Sequence, residues 1–102
     1  MIYLSNSFSL NMLKIFPSEL KICEVSSSYV QLRDWISIVG HADTAALIEN
    51  LLERKVKFNR ATVALESGDT VLVAQYIGPR LQEGMTQLPE GASIKFIKIE
   101  VS

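Results

Sequence analysis

The chain has 102 residues, 48% of them hydrophobic and 21% charged, with a formal net charge of −1. That length builds one domain with a core of its own, and the near-neutral balance excludes a general grip on long nucleic acid, which needs a basic face to neutralise many phosphates. One cysteine and one histidine exclude an intrachain disulfide and a zinc cluster within a single chain, and no metal or cofactor is expected.

Met1–Leu4 is short and apolar and reads as a first strand, broken by Ser5-Asn6-Ser7-Phe8-Ser9, residues that favour turns. Asn11–Phe16 predicts a short helix that Pro17 ends or redirects. Lys21–Val25 predicts a second strand, with Cys23 as buried apolar filler rather than a nucleophile. Ser26-Ser27-Ser28 supplies N-caps for a helix over about Tyr29–Val39. Gly40 stops it, since glycine tolerates the left-handed conformation past a helix end. A second helix runs from about Ala42 to Arg54. Ala45, Ile48, Leu51 and Leu52 recur there at helical spacing, while Asp43, Glu49, Asn50 and Glu53 face elsewhere.

Ala61–Leu65 and Thr70–Ile77 are rich in valine and leucine, and Ser67-Gly68-Asp69 between them predicts a hairpin. Gly78-Pro79 ends the second strand, and a loop follows through Arg80-Leu81-Gln82-Glu83-Gly84. After the Pro89-Glu90-Gly91 turn, Ser93–Val101 predicts a last strand, one face of it partly solvated by Lys95, Lys98 and Glu100. Strands at both ends with helices between them predict a single α/β domain over residues 1–102, a mixed sheet flanked by helices. No apolar stretch approaches the ~20 residues that span a bilayer. The start of the chain lacks a basic region followed by a long apolar run. The cytoplasm is the expected location, with no membrane partner.

Three places could carry chemistry. From the residues alone His41, between a helix stop and a new helix, reads first as a surface junction residue that caps the helix; the functional reading is that backbone N–H groups there attract anions such as phosphate. Arg80 and Glu83 share one loop after a strand. They read as a solvated charge pair, or as a planar fork of donors for a phosphate and a carboxylate that orients His41. Asn6-Ser7-Phe8-Ser9-Leu10-Asn11 is either an ordinary turn plugged by Phe8 and Leu10, or a set of amides and hydroxyls for a base edge or phosphate. The serine-hydrolase, dinucleotide and P-loop motifs are absent.

Taken together, three segments resemble the viral type III anti-CRISPR ring nuclease family and its cellular relatives. They are Asn6-Ser7-Phe8-Ser9-Leu10-Asn11-Met12-Leu13, Ile36-Ser37-Ile38-Val39-Gly40-His41 with Ala42-Asp43-Thr44-Ala45 after it, and Asn59-Arg60 followed by the Gly68-Asp69 turn and Arg80-Leu81-Gln82-Glu83-Gly84. The resemblance implies a homodimer that binds cyclic tetra-adenylate across its twofold axis. It implies that His41 is catalytic, Glu83 assists it and Arg80 contacts phosphate. Asn6, Ser9, Leu10 and Asn11 match the ligand-contacting turn, and Gly40, Arg60 and Gln75 are further substrate-binding candidates.

The chemistry suits so few residues. A ribose 2′-OH beside its own 3′-phosphate supplies the nucleophile, and the protein holds the reacting atoms in line. A histidine can protonate the departing 5′-oxygen without a metal. The expected product is a linear oligoadenylate ending in a 2′,3′-cyclic phosphate. A ring of four equivalent nucleotides contains a twofold axis, so a C2 dimer would present His41 twice to opposite phosphates. The alternatives are a non-cleaving cyclic-nucleotide-binding module and a small regulatory or interaction protein.

Overall fold

The computed structural model describes residues 1–80, 84, 85 and 87–102. The elements are β1 (Ile2–Ser5), a 3-10 turn (Leu10–Met12), β2 (Leu20–Val25), α1 (Ser27–Gln31), β3 (Ile36–Ser37), α2 (Ala42–Leu52), β4 (Thr70–Ile77) and β5 (Ser93–Val101). The sheet order is β2-β5-β4-β1-β3. β1 pairs parallel with β3 and β4, whereas β5 pairs antiparallel with β4 and β2. Four strands therefore point one way and β5 alone runs back. The expected α/β architecture with a mixed sheet is what forms, and it places the carboxyl ends of β1 to β4 at one edge.

Alternation along β4 sorts its side chains to two faces. Leu72 and Ala74 join Leu4, Trp35, Val39, Ala45, Ile48, Leu52 and Phe96 beneath the helices. Val71 and Val73 pack with Leu13, Leu65, Ile99 and Val101 on the other face. Among the described residues no long helix seals that second face. Instead the 3-10 turn and the chain around Leu65 lie together, with Leu65 N–H donating to the Met12 carbonyl at 2.6 Å and Lys14 N–H to the Leu65 carbonyl at 3.0 Å. A strand buried on both faces reads as a nearly continuous apolar run, which is why β4 is valine- and leucine-rich.

α2 ends at Leu52 because Glu53 takes the left-handed conformation, with φ 51°. Arg54 then leaves the helix, stacks 4.1 Å over the Trp35 ring, and donates to the Gln31 and Arg33 carbonyls at 2.9 and 2.6 Å. This arginine, together with the Trp35 indole donating to the Val30 carbonyl at 2.8 Å, takes the acceptors that would continue α1. The helix expected over Tyr29–Val39 is accordingly reduced to Ser27–Gln31, and Ile36 and Ser37 pair instead with Tyr3 and Leu4 of β1.

Four further expectations are corrected. The helix at Asn11–Phe16 shrinks to the 3-10 turn, because Leu13 is extended and bridges Leu65. Ala61–Leu65 does not form a hairpin with β4, whose neighbours are β1 and β5, although Gly68 does turn the chain with φ +92°. Gly40 is not left-handed. Its lack of a side chain is spatial, since a Cβ there would meet Arg60 Cγ at 3.3 Å. Cys23 is half-buried on the edge strand β2 rather than sealed in a core. No helix among the described residues is long and apolar enough to cross a membrane.

Candidate functional site

In open α/β sheets, ligands bind beyond the carboxyl ends of the strands, where loops are free to vary over a fixed frame. Here that edge carries Asn6–Asn11 after β1, Gly40-His41 after β3, and Gly78-Pro79-Arg80 after β4. The β3 exit is the most firmly held. The Ser37 hydroxyl donates to the Lys57 carbonyl at 2.6 Å and accepts from Val39 N–H at 3.3 Å. Asn59 donates through its side chain to the Ser37 carbonyl at 2.8 Å and through its backbone to the Val39 carbonyl at 2.9 Å. The chain is thus pinned up to the residue before Gly40.

His41 is the N-cap of α2, exposed and in extended conformation, with φ −139° and ψ 123°. Its Nδ1 accepts from Thr44 N–H at 3.4 Å, a long and weak bond, while its carbonyl accepts from Ala45 N–H at 2.9 Å. A neutral ring that accepts at Nδ1 bears its proton on Nε2. The capping role and the position at the carboxyl edge coexist in one residue. Arg60 lies against Gly40 and is exposed, so a guanidinium-bearing side chain neighbours the histidine junction.

Arg80 is exposed three residues beyond the end of β4. The loop that follows returns to the same helix mouth, where Gly84 N–H donates to Asp43 Oδ2 at 2.7 Å. Glu83, the nominated partner of His41, lies outside the described residues. Ser9 caps the 3-10 turn, its Oγ accepting from Asn11 N–H at 3.3 Å while its own N–H meets the Met12 sulfur at 3.4 Å. Asn6 is half-buried and Asn11 exposed. Of the two apolar residues in this loop, Phe8 packs against the second core but Leu10 is 61% exposed and plugs nothing. Gln75 follows Val71 and Val73 on the face of β4 away from α2; it is exposed, and its side-chain amide donates to the Tyr76 carbonyl at 3.2 Å.

The structure therefore brings Gly40, His41 and Arg60 together and ties the loop after Arg80 to the same helix, while Gln75 sits on the opposite face of the sheet. Sequence reasoning missed Ser37 and Asn59, whose hydrogen bonds set the junction, and gave Asp43 no role beyond facing outward. A cleft of about 390 Å³ opens at another part of the edge, between the end of β2, the start of β5, Leu51 and Leu88, and holds none of the nominated residues. The shifted titrations also lie elsewhere. The Arg33 guanidinium, 3.7 Å over the Tyr29 ring, and to a lesser extent Lys98 hold the Tyr29 hydroxyl below its usual range. Glu100, 2.9 Å from the Lys98 ammonium, pushes Lys98 up and is itself held down.

A sequence profile described as STIV B116-like matches residues 2–100. The chain belongs to the STIV B116-like family. Among solved structures, B116 of Sulfolobus turreted icosahedral virus is similar at 28% identity and a TM-score of 0.81, over 97% of each chain. No curated protein matches. The B116-like fold thus extends over the whole sheet and the loops at its carboxyl edge, and it ties this chain to a viral protein.

Proposed function

We propose that this B116-like chain is a metal-independent ring nuclease, a homodimer that binds cyclic tetra-adenylate and cleaves it. The observation that carries the reading is the placement of His41, exposed at the carboxyl edge as the N-cap of an eleven-residue helix, an end of a helix that attracts phosphate. Arg60 beside Gly40 and Arg80 beyond β4 supply guanidinium groups for phosphate, and the Asn6–Asn11 turn supplies amide, hydroxyl and apolar contacts for the nucleotide. A twofold-related copy would double this set around one ring.

In the reaction, the ribose 2′-oxygen attacks the adjacent phosphorus and its proton passes to solvent. The new 2′-O–P bond forms as the bond from phosphorus to the 5′-oxygen breaks, and His41 gives a proton to that departing oxygen. As an acid, the imidazole carries protons on both nitrogens and gives up its acceptor role toward Thr44 N–H, a small loss for so long a bond. Glu83 is assigned to orient His41, and Arg80 to the phosphate charge. The product is a linear oligoadenylate with a 2′,3′-cyclic phosphate.

The test is incubation with cyclic tri-, tetra- and hexa-adenylate in the presence of chelator, with products separated chromatographically. Cyclic tetra-adenylate should be opened by the wild type at an undiminished rate with chelator. His41→Ala should retain the ring intact and uncut. Rings bound but never opened by the wild type would leave a sequestering module in place of a nuclease, and loss of cleavage on chelation would overturn the metal-free mechanism.

A further inference from the structure

We propose that Asp43 is a positioning residue that tethers the β4–β5 loop to the helix bearing His41; its catalytic consequence rests on the ring-nuclease reading above. The contact that carries it is the 2.7 Å hydrogen bond from Gly84 N–H to Asp43 Oδ2, between residues 41 apart in the chain. A bond to an ionised carboxylate is short and about twice as strong as a neutral one. Gly84 has φ +82°, a conformation that side chains other than glycine rarely adopt, and nothing within 4 Å would meet a Cβ there. Its glycine is thus required by the direction of the backbone, not by crowding. That direction aims the amide at the first turn of α2.

Asp43 lies two residues beyond His41, and a carboxylate in the first turn also opposes the positive end of the helix. That accounts for an acidic residue here but not for its engagement with a distant loop. The loop carries Arg80 on one side of Gly84 and returns to β5 on the other. A tether at Gly84 fixes where that residue stands relative to the helix that begins after His41. Asp43 touches no reacting atom in this scheme. It sets the distance between two groups that do, and misplacement by about 1 Å costs on the order of a hundredfold in rate.

Two substitutions separate this role from a merely structural one. Asp43→Ala removes the acceptor, whereas Asp43→Asn keeps an oxygen in place without the charge. Amide hydrogen exchange over residues 84–92 should accelerate in Asp43→Ala and recover in large part in Asp43→Asn, with exchange over β4 and β5 unchanged. Single-turnover cleavage of cyclic tetra-adenylate should slow roughly tenfold or more in Asp43→Ala and by only about threefold in Asp43→Asn. Reduced reaction amplitude at an unchanged rate constant would mean a smaller folded fraction, and would overturn the positioning role. Unchanged loop exchange in Asp43→Ala would overturn the tether itself. A wild type that does not cleave the ring would remove the catalytic consequence along with the ring-nuclease reading, and exchange alone would then decide the tether.

Discussion

The two faces of the sheet are closed by different means. Under α1 and α2, Leu4, Val30, Val39, Ile48 and Leu72 have no exposed surface, and Leu52 only 1%. On the other face, coil and a three-residue turn do the sealing, and apolar surface shows through at Ile22, 61% exposed on β2. The difference is one of stiffness. A helix packed along its length cannot move one residue without moving its neighbours, whereas coil held by isolated hydrogen bonds can adjust locally. His41 is mounted on the stiff layer and the Asn6–Asn11 turn on the adjustable one.

Substitutions in the two cores test that contrast most strongly. Leu72→Ala, beneath the helices, should cost about 4 kcal/mol in urea unfolding, near the upper part of the range for buried leucine. Leu65→Ala should cost about 2–3 kcal/mol, because the coil above it can collapse into the space. Equal costs would show that the coil layer is as rigid as the helical one. Arg54→Ala comes next, at about 2 kcal/mol, through loss of two charge-assisted hydrogen bonds to the end of α1 and the stack on Trp35. Near-UV circular dichroism should report the freed indole.

The smallest effect concerns the far end of β5, where the helix-side face runs from buried Phe96 to Lys98 and Glu100. Lys98 holds the Glu100 carboxylate below its usual 4.5, so this contribution to stability is present above that value and is lost as pH falls through the lower folded value. The urea midpoint should therefore drop slightly less between pH 7 and pH 3 in Glu100→Gln than in the wild type. An identical drop would assign the pair no role in folding, as is common for exposed ion pairs.

Those elements whose pattern is local were legible in the sequence. β4 and β5 announce themselves by continuous or alternating apolar residues, and α2 by its helical spacing and the histidine junction before it. The misread segments are those whose partners are remote. Ile36 and Ser37 become strand only because β1 offers Tyr3 and Leu4. Leu65 ends the strand-like run Ala61–Leu65, yet its partner is Leu13 rather than β4. The same holds at the site, where His41, Arg80 and the Asn6–Asn11 turn stand out at element boundaries. Asp43 is unremarkable until Gly84 arrives from the other end of the chain.

The base of the β4–β5 loop has a consequence for how such a protein diversifies. Gly78 and Ala92 stand so close that a Cβ on the glycine would lie 2.7 Å from the alanine Cβ. The excursion therefore departs and rejoins through a clasp that only glycine permits. Segments of other lengths could be spliced above that clasp without disturbing the strand register below, which makes this stretch an exchangeable cassette on a fixed chassis. Its size and chemistry can drift with whatever the rim must meet, provided the clasp stays shut.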